Sequence, residues 1–462
     1  MQNCFVNLRN NFAFFDIMTD LLIIGAGPGG YEVAVAAAKR GLNVTVVEEK
    51  HLGGTCLNEG CIPTKCLCHT AEQLDSVRDM GLPAPENFFS AAYERKNQVV
   101  SQLQSGIAAL MKTPGITFVE GRANFGADAH TIIVEGAESQ EITAKNVMIA
   151  TGSVTKFLPI EGAHLPGVLT STEMLRLDEL PQRLCVIGGG VIGLEFASIF
   201  HSFGSEVTVV EFCKEILPPF DKDIAKRLRM SLKKRGITFK TGCGVQKITQ
   251  ENDGLAVHFE EKGTLVNVVA DKVLMAVGRG ANLDSMDFAR VCIETSRRGI
   301  VVDDNMQTNV EGVYAVGDIN GLCQLAHAAT FQAYKALDAI CGQTTKINLD
   351  IIPSAVFTTP EAAMVGKTEE NLTENGVNYT AHKAFYRACG KALAMGQDEG
   401  LVKLLADEDG HVLGAHILGA HASDLIHEVT LLMQKNGTLD DLKNMVHAHP
   451  SLAEIVMMAG ES

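Results

Sequence analysis

No apolar run in this chain of 462 residues approaches the ~20 residues that a membrane-spanning helix needs. The longest uncharged stretch, Ile319 to Tyr334, is interrupted by Asn, Gln and His. Basic residues are scarce as well: 39 Lys and Arg stand against 55 Asp and Glu, for a formal net charge of −16. That balance argues against general nucleic-acid binding, which depends on basic patches meeting phosphates. An acidic surface suits solubility or a basic protein partner. Twelve cysteines are too dilute for a secreted disulfide scaffold. Residues 1–17 lack the continuous apolar core of a secretory signal. That segment reads as a dispensable N-terminal extension, with a weak targeting peptide as the alternative. The expected location is the cytoplasm. Length alone suggests roughly three domains.

Glycine, by contrast, is abundant, with 44 residues, and an internal repeat accounts for several of them. Residues 21–48 and 184–211 align without a gap at an offset of 163 and match at 13 of 28 positions. Each copy runs from an apolar strand through G-x-G-x-x-G and a helical stretch to Val-Thr-Val-Val-Glu, a βαβ unit. The glycines are Gly25, Gly27 and Gly30, then Gly188, Gly190 and Gly193. In such a unit the first glycine permits a tight turn, the second lets backbone approach a pyrophosphate, and the third lets helix pack on strand. The phosphates then meet the helix N-terminus, where free N–H groups favour anions. Glu48 and Glu211 each follow the first glycine by 23 residues, the place for a carboxylate that accepts ribose hydroxyls. A single such motif is weak; two in register predict two nucleotide-binding modules. Glu211 would repel a 2′-phosphate, and no Arg cluster follows it, so the second module is expected to prefer NAD to NADP.

Between the repeats, residues 70–110 read as largely helical, followed by short β-rich segments. After the second repeat come a helix around Asp223–Arg235, further strands, and Gly312–Asp318 as a buried strand ending at an exposed Asp. From about residue 350 the pattern becomes α+β.

The segment after Glu48 reads GGTCLNEGCIPTKCLCH. Cys56 and Cys61 lie five apart and are able to bridge if the intervening turn brings their α-carbons into range. Two other readings compete: a metal site using Cys56, Cys61, Cys66, Cys68 and His69, whose spacing matches no standard zinc or iron–sulfur pattern, and plain buried thiols. Redox chemistry gains weight because the pair follows a dinucleotide fold.

This segment resembles the redox-active motif of the FAD-dependent pyridine nucleotide–disulfide oxidoreductases. The resemblance extends over about residues 20–460 and takes in Ala150-Thr151-Gly152, Ala276–Arg279, Gly312–Asp318, IPSAVFTTPEAAMVG and HAHPSLAE. It implies an α/β fold of two Rossmann-like dinucleotide-binding domains, for FAD and NAD, plus a C-terminal α+β dimerisation domain. The implied order is an extension at 1–17, an FAD-binding part at 18–149, an NAD-binding domain at 150–278, a second FAD-binding part at 279–348 and an interface domain at 349–462. Leu57-Asn58, Ile62-Pro63-Thr64-Lys65 and His447-Ala448-His449-Pro450 match the members that act on dihydrolipoyl groups.

By position, the resemblance makes Cys61 the thiol facing the flavin and Cys56 the thiol that exchanges with lipoyl sulfur. Lys65 falls near the flavin with Glu195 as its ion-pair partner, and Asp318 binds the ribityl chain. His449 becomes the acid–base residue, oriented by Glu454 and supplied by the second subunit of a homodimer. Gly25, Gly27, Gly30, Glu48, Lys65, Thr151, Gly152, Asp318 and Ala326 are the implied FAD residues. Gly188, Gly190, Gly193, Glu211 and Gly278 are those for NAD, and no metal is implied. The implied partners are lipoyl-bearing proteins of 2-oxo acid dehydrogenase complexes or the glycine cleavage system.

Plainer readings stand beside these. Ser451 and Glu454 form a capping-box pattern, spacing does not distinguish His447 from His449, and Glu32 repeats the position of Glu195 in the first module. Ala281 replaces a family proline, which is expected to loosen that turn, and Gln332-Ala333 replace a frequent Glu-Gly near the flavin. Cys66 and Cys68 are unusual neighbours that are expected to be able to exchange with the active pair on oxidation.

Overall fold

Apolar runs such as Leu21–Ile24 and Val44–Val47 have no polar face, so they suit strands covered on both sides. In the computed structural model, which describes residues 18–462, Leu21, Leu22, Ile23 and Val46 are fully buried in strands. The expected extension at 1–17 lies outside the described residues.

The chain forms two units. The first comprises residues 18–54, Ser105–Ser153 and Ala281–Thr345. Its sheet runs Ile116–Glu120, Val44–Glu48, Met18–Ile24 and Gln140–Ile149 in parallel, with Val313–Ala315 also parallel to the end of the last strand. Thr131–Glu135 and Arg122–Phe125 extend it antiparallel. Its core joins Leu22, Ile24 and Val147 to Phe125, Phe288 and Ile319.

The second unit holds residues 55–104, Val154–Gly280 and Lys346–Ser462. Its parallel sheet runs Thr238–Thr241, Glu206–Glu211, Arg183–Ile187, Lys272–Met275 and Val168–Leu169. In both units the three strands that start with the repeat lie in the order third, second, first, with a later strand parallel on the far side of the first, the doubly wound arrangement whose crevice lies at the strand carboxyl ends. Helix Val191–Phe203 is buried almost all round, with Leu194, Phe196, Ala197 and Phe200 at 0–1% exposure. It packs between this sheet and helix Cys61–Asp79. A three-stranded antiparallel sheet spans residues 245–270, and a five-stranded antiparallel sheet lies within residues 354–418.

A buried ionic cluster ties the second unit together. Asp221 caps helix Lys222–Arg235 by accepting from the Asp223 N–H at 3.0 Å. The same carboxylate takes the Lys403 ammonium at 2.7 and 2.8 Å, and Glu369 binds that ammonium at 2.7 Å. Both Lys403 and Asp221 are fully buried. Burial alone pushes the Asp221 carboxyl up, but the Lys403 partner outweighs it and the net shift is downward. Burial likewise pulls Lys403 down, yet its carboxylates leave it raised. His416 beside them is held below its ordinary value, chiefly by burial, and its Nε2 meets the Lys367 carbonyl.

A buried pair that loses one partner leaves an uncompensated charge, so Lys403→Met is expected to cost about 3–5 kcal/mol of stability. A lowered carboxyl stabilises above its unfolded pKa and loses that stability as pH falls through the folded value. A lowered histidine begins to destabilise once pH drops below about 6.5, where the unfolded chain takes up the proton. Thermal unfolding of the wild type should therefore show a midpoint that drops on acidification. A Lys403→Met midpoint equal to wild type would contradict the assignment.

Candidate active site

The three glycines of each repeat do different work. A Cβ at Gly25 would lie 2.4 Å from the Ala150 carbonyl oxygen, and one at Gly30 would lie 1.9 Å from that of Gly25. At Gly27 the nearest atom is 3.9 Å away. The second repeat repeats this: Gly188 and Gly193 would clash at 2.3 and 2.1 Å, while Gly190 has nothing within 4 Å. The first and third positions are filled by protein backbone, and the second is left open at the head of a helix, Pro28–Lys39 or Val191–Phe203. That is the cradle a pyrophosphate needs.

Each terminal carboxylate is fixed by backbone. Glu48 accepts from Ala26 N at 2.7 Å and Lys50 N at 2.8 Å. Glu211 accepts from Gly189 N at 2.5 Å and Cys213 N at 2.6 Å. Each oxygen keeps further lone-pair capacity for a ribose hydroxyl. Thr151 accepts from Ser285 Oγ at 3.2 Å, and the Gly152 carbonyl accepts from Asn282 N at 3.1 Å. Asn282, next to the alanine that replaces a family proline, therefore ties its turn to Gly152. In the second unit Gly278, at φ +105°, accepts from Lys156 N at 3.0 Å.

Asp318 was expected to be exposed; it is half-buried, and Ser153 Oγ donates to it at 2.5 Å. Gln332, fully buried in helix Ala326–Ile340, accepts from Gly317 N at 2.7 Å and Asn320 Nδ2 at 2.8 Å. The glutamine in place of a family glutamate therefore clamps both sides of the Asp318 turn. Neither Ser153 nor this clamp was legible in the sequence, since both depend on contacts across distant segments.

The segment leading to the cysteines lies on the first fingerprint. Gly53 N donates to the Ala26 carbonyl at 2.8 Å, and a Cβ at Gly54 would stand 2.7 Å from Gly27 Cα. Cys56 follows two residues later, in the short helix Gly54–Glu59. Gly60 then folds back so closely that a Cβ there would meet the Thr55 carbonyl oxygen at 3.0 Å. This brings the α-carbons of Cys56 and Cys61 to 4.7 Å, and the two form a disulfide. Cys61 opens the 19-residue helix Cys61–Asp79, where the helix N-terminus favours a thiolate once the bridge is reduced.

One turn on, Lys65 Nζ binds both carboxylate oxygens of Glu195 at 2.9 and 2.8 Å. Glu195 also accepts from Phe357 N at 3.0 Å, and the ammonium sits 4.4 Å from the Phe357 ring centroid. Phe357 was not anticipated from sequence. Glu32, its counterpart in the first repeat, instead meets the Tyr31 and Tyr334 hydroxyls. Lys65 belongs to the second unit, whereas the other residues expected at FAD belong to the first.

Cys66 and Cys68 are buried free thiols, and burial raises both pKa values, that of Cys68 strongly. Cys68 Sγ donates to the Phe357 carbonyl. The proposed exchange with Cys56–Cys61 therefore lacks an accessible thiolate. No metal-holding cluster exists among the described residues.

The two histidines near the C-terminus separate clearly. His447 has a side chain only 2% exposed and both ring nitrogens engaged, by Met445 O at 3.1 Å and Glu428 at 2.7 Å. His449 is 79% exposed and meets Glu454 through Nδ1 at 2.9 Å. Glu454 also accepts from Ser451 N at 2.9 Å, and that bond, then His449, holds its carboxyl below the usual range. The capping box is only half formed: helix Glu454–Glu461 begins at Glu454, and Ser451 Oγ caps nothing.

Residues 19–333 match the pyridine nucleotide-disulphide oxidoreductase family, and residues 352–459 match its dimerisation domain. The chain belongs to this family. It is 41% identical over 456 residues to a dihydrolipoyl dehydrogenase of Bacillus subtilis, covering 97% of each chain. It is 38% identical to the mitochondrial dihydrolipoyl dehydrogenase of Pisum sativum, covering 95% of this chain and 90% of that one. Among solved structures, the HOCl-induced flavoprotein disulfide reductase RclA of Escherichia coli superimposes with a TM-score of 0.85 at 32% identity, covering 94% of this chain and 98% of that one.

Alkylation of the native, unreduced protein should label exposed Cys213 and Cys292 while sparing Cys66 and Cys68. Peptide mapping should then find a Cys56–Cys61 bridge; a bridge to Cys66 or Cys68 would contradict the geometry.

Proposed function

We propose that this protein oxidises dihydrolipoyl groups to lipoyl disulfides and reduces NAD, the activity of a dihydrolipoyl dehydrogenase. The observation that carries this reading is the Cys56–Cys61 disulfide, set at a helix N-terminus two residues after the glycine that lies on the first fingerprint. The first fingerprint with Glu48, Thr151, Gly152, Asp318 and the N-terminus of the helix at Ala326 fits FAD, and Lys65 is the further residue that the family resemblance implies for it. The second fingerprint with Glu211 and Gly278 fits NAD. Bound FAD supplies a two-electron acceptor for the dithiol and a hydride donor for NAD.

The chain's own residues handle sulfur and protons. His449 takes the proton from one dihydrolipoyl thiol, and the resulting thiolate attacks Cys56. A mixed disulfide forms, and Cys61 leaves as a thiolate at the helix N-terminus, one turn before Lys65. The second dihydrolipoyl thiol then attacks its partner sulfur, closing the lipoyl disulfide and releasing Cys56 as a thiol. Two electrons have passed to the cysteine pair. Glu454 fixes the His449 tautomer and stabilises its imidazolium, the logic of a triad with sulfur as nucleophile. In a homodimer built through residues 352–459, His449 serves the disulfide of the second subunit. Lipoyl-bearing proteins of 2-oxo acid dehydrogenase complexes or the glycine cleavage system supply the substrate. Nine free cysteines beside one disulfide, among the described residues, fit a reducing cytoplasm.

His449→Gln is expected to lower dihydrolipoamide oxidation by roughly 10²–10⁴-fold, the usual weight of a general base. NADH-driven reduction of an artificial acceptor should be spared, because it bypasses the thiol step. Equal loss of both activities would remove His449 from the role.

A further inference from the structure

Phe212 directly follows Glu211 and is 79% exposed, where Phe157 and Phe331 reach only 38% and 49%. A single exposed apolar side chain needs no explanation of its own. Its position calls for one.

The carboxyl ends of strands Glu206–Glu211 and Thr238–Thr241 are laced together just beyond Glu211. Cys243 N donates to the Glu211 carbonyl at 2.9 Å, and Gly242 N donates to that of Cys213 at 2.8 Å. Gly244 comes to rest against Phe212: a Cβ there would lie 3.5 Å from ring Cδ2 and 3.7 Å from Cε2. One ring edge is therefore supported by bare backbone, and the remainder of the ring stays open.

The doubly wound fold sets the path of a bound dinucleotide across the strand carboxyl ends. A pyrophosphate at Gly190 and a ribose held by Glu211 leave the attached base to extend past the strand ends, on the Thr238–Thr241 side of the sheet. Phe212 and Gly244 frame that place. A flat apolar ring next to a ribose-binding carboxylate offers a purine the π-face it stacks on.

We propose that Phe212 is the stacking platform for the adenine ring of NAD, and so sets the preference for the dinucleotide over the nicotinamide mononucleotide. This rests on the NAD reading above. Phe212 gives affinity through the half of the ligand that does not react. The other role open to this ring, a cover for Gly244, would act on the loop whatever the ligand and would not depend on adenine.

The test uses oxidised holoenzyme, in which neither ligand is reduced, as wild type, Phe212→Ala and Phe212→Trp. Dissociation constants are measured for NAD and for nicotinamide mononucleotide, which lacks the adenosine half. Phe212→Ala should weaken NAD about tenfold, the scale of one lost base–aromatic stack, and leave the mononucleotide unchanged. Phe212→Trp should restore NAD binding. NAD binding by Phe212→Ala as tight as by wild type would overturn the proposal, and so would equal loss of the mononucleotide. Wild-type enzyme that binds no NAD would instead overturn the reading on which the proposal rests.

Discussion

The structure depends on one close approach of backbone to backbone. Gly54 stands so near Gly27 that a side chain on the former would collide with the latter. This contact, with the Gly53–Ala26 hydrogen bond, places the start of the redox segment on the loop that cradles the first dinucleotide. Cys56 is two residues further along the chain, and Gly60 turns the chain back so that Cys61 meets it. The chemistry is therefore fixed by positions without side chains. Glycines at 25 and 188 let the turn pass close to a neighbouring strand end, those at 30 and 193 admit helix to strand, and those at 27 and 190 leave room for phosphate.

Charge is placed with equal economy. A chain with a net charge of −16 sets two lysines, the half-buried Lys65 and the fully buried Lys403, against carboxylates that join distant segments. Lys65 is matched to Glu195 on a helix that is buried almost all round, and the Phe357 amide completes the carboxylate's partners. Lys403 is matched to Asp221 and Glu369 and joins the cap of a nucleotide-domain helix to the C-terminal sheet. The pair with a proton to move is left accessible: His449 leans on Glu454 by one nitrogen and presents the rest of its ring to solvent.

Much of this was legible in the sequence because it is local. The βαβ repeats, the open second glycines and the carboxylates 23 residues on are all short-range patterns, and the sheets follow them in order. The pairing of Lys65 with Glu195 was anticipated only through the family resemblance, since 130 residues separate them. What sequence alone did not separate were His447 and His449; burial and a second partner remove the former from exchange with solvent. Asp318 was misjudged as exposed because its partner Ser153 lies 165 residues away. The Ser451 capping box failed because the helix starts at Glu454, which leaves the serine hydroxyl behind it.

The central claim is that electrons pass from a dihydrolipoyl dithiol through Cys56–Cys61 to a bound flavin. Anaerobic titration of the holoenzyme with dihydrolipoamide, followed by visible absorption, tests it most directly. The account predicts a long-wavelength thiolate–flavin charge-transfer band that appears as the disulfide is reduced and is absent from Cys61→Ser. A purified protein without flavin, or a flavin bleached by dithiol with no such band in the wild type, would contradict it.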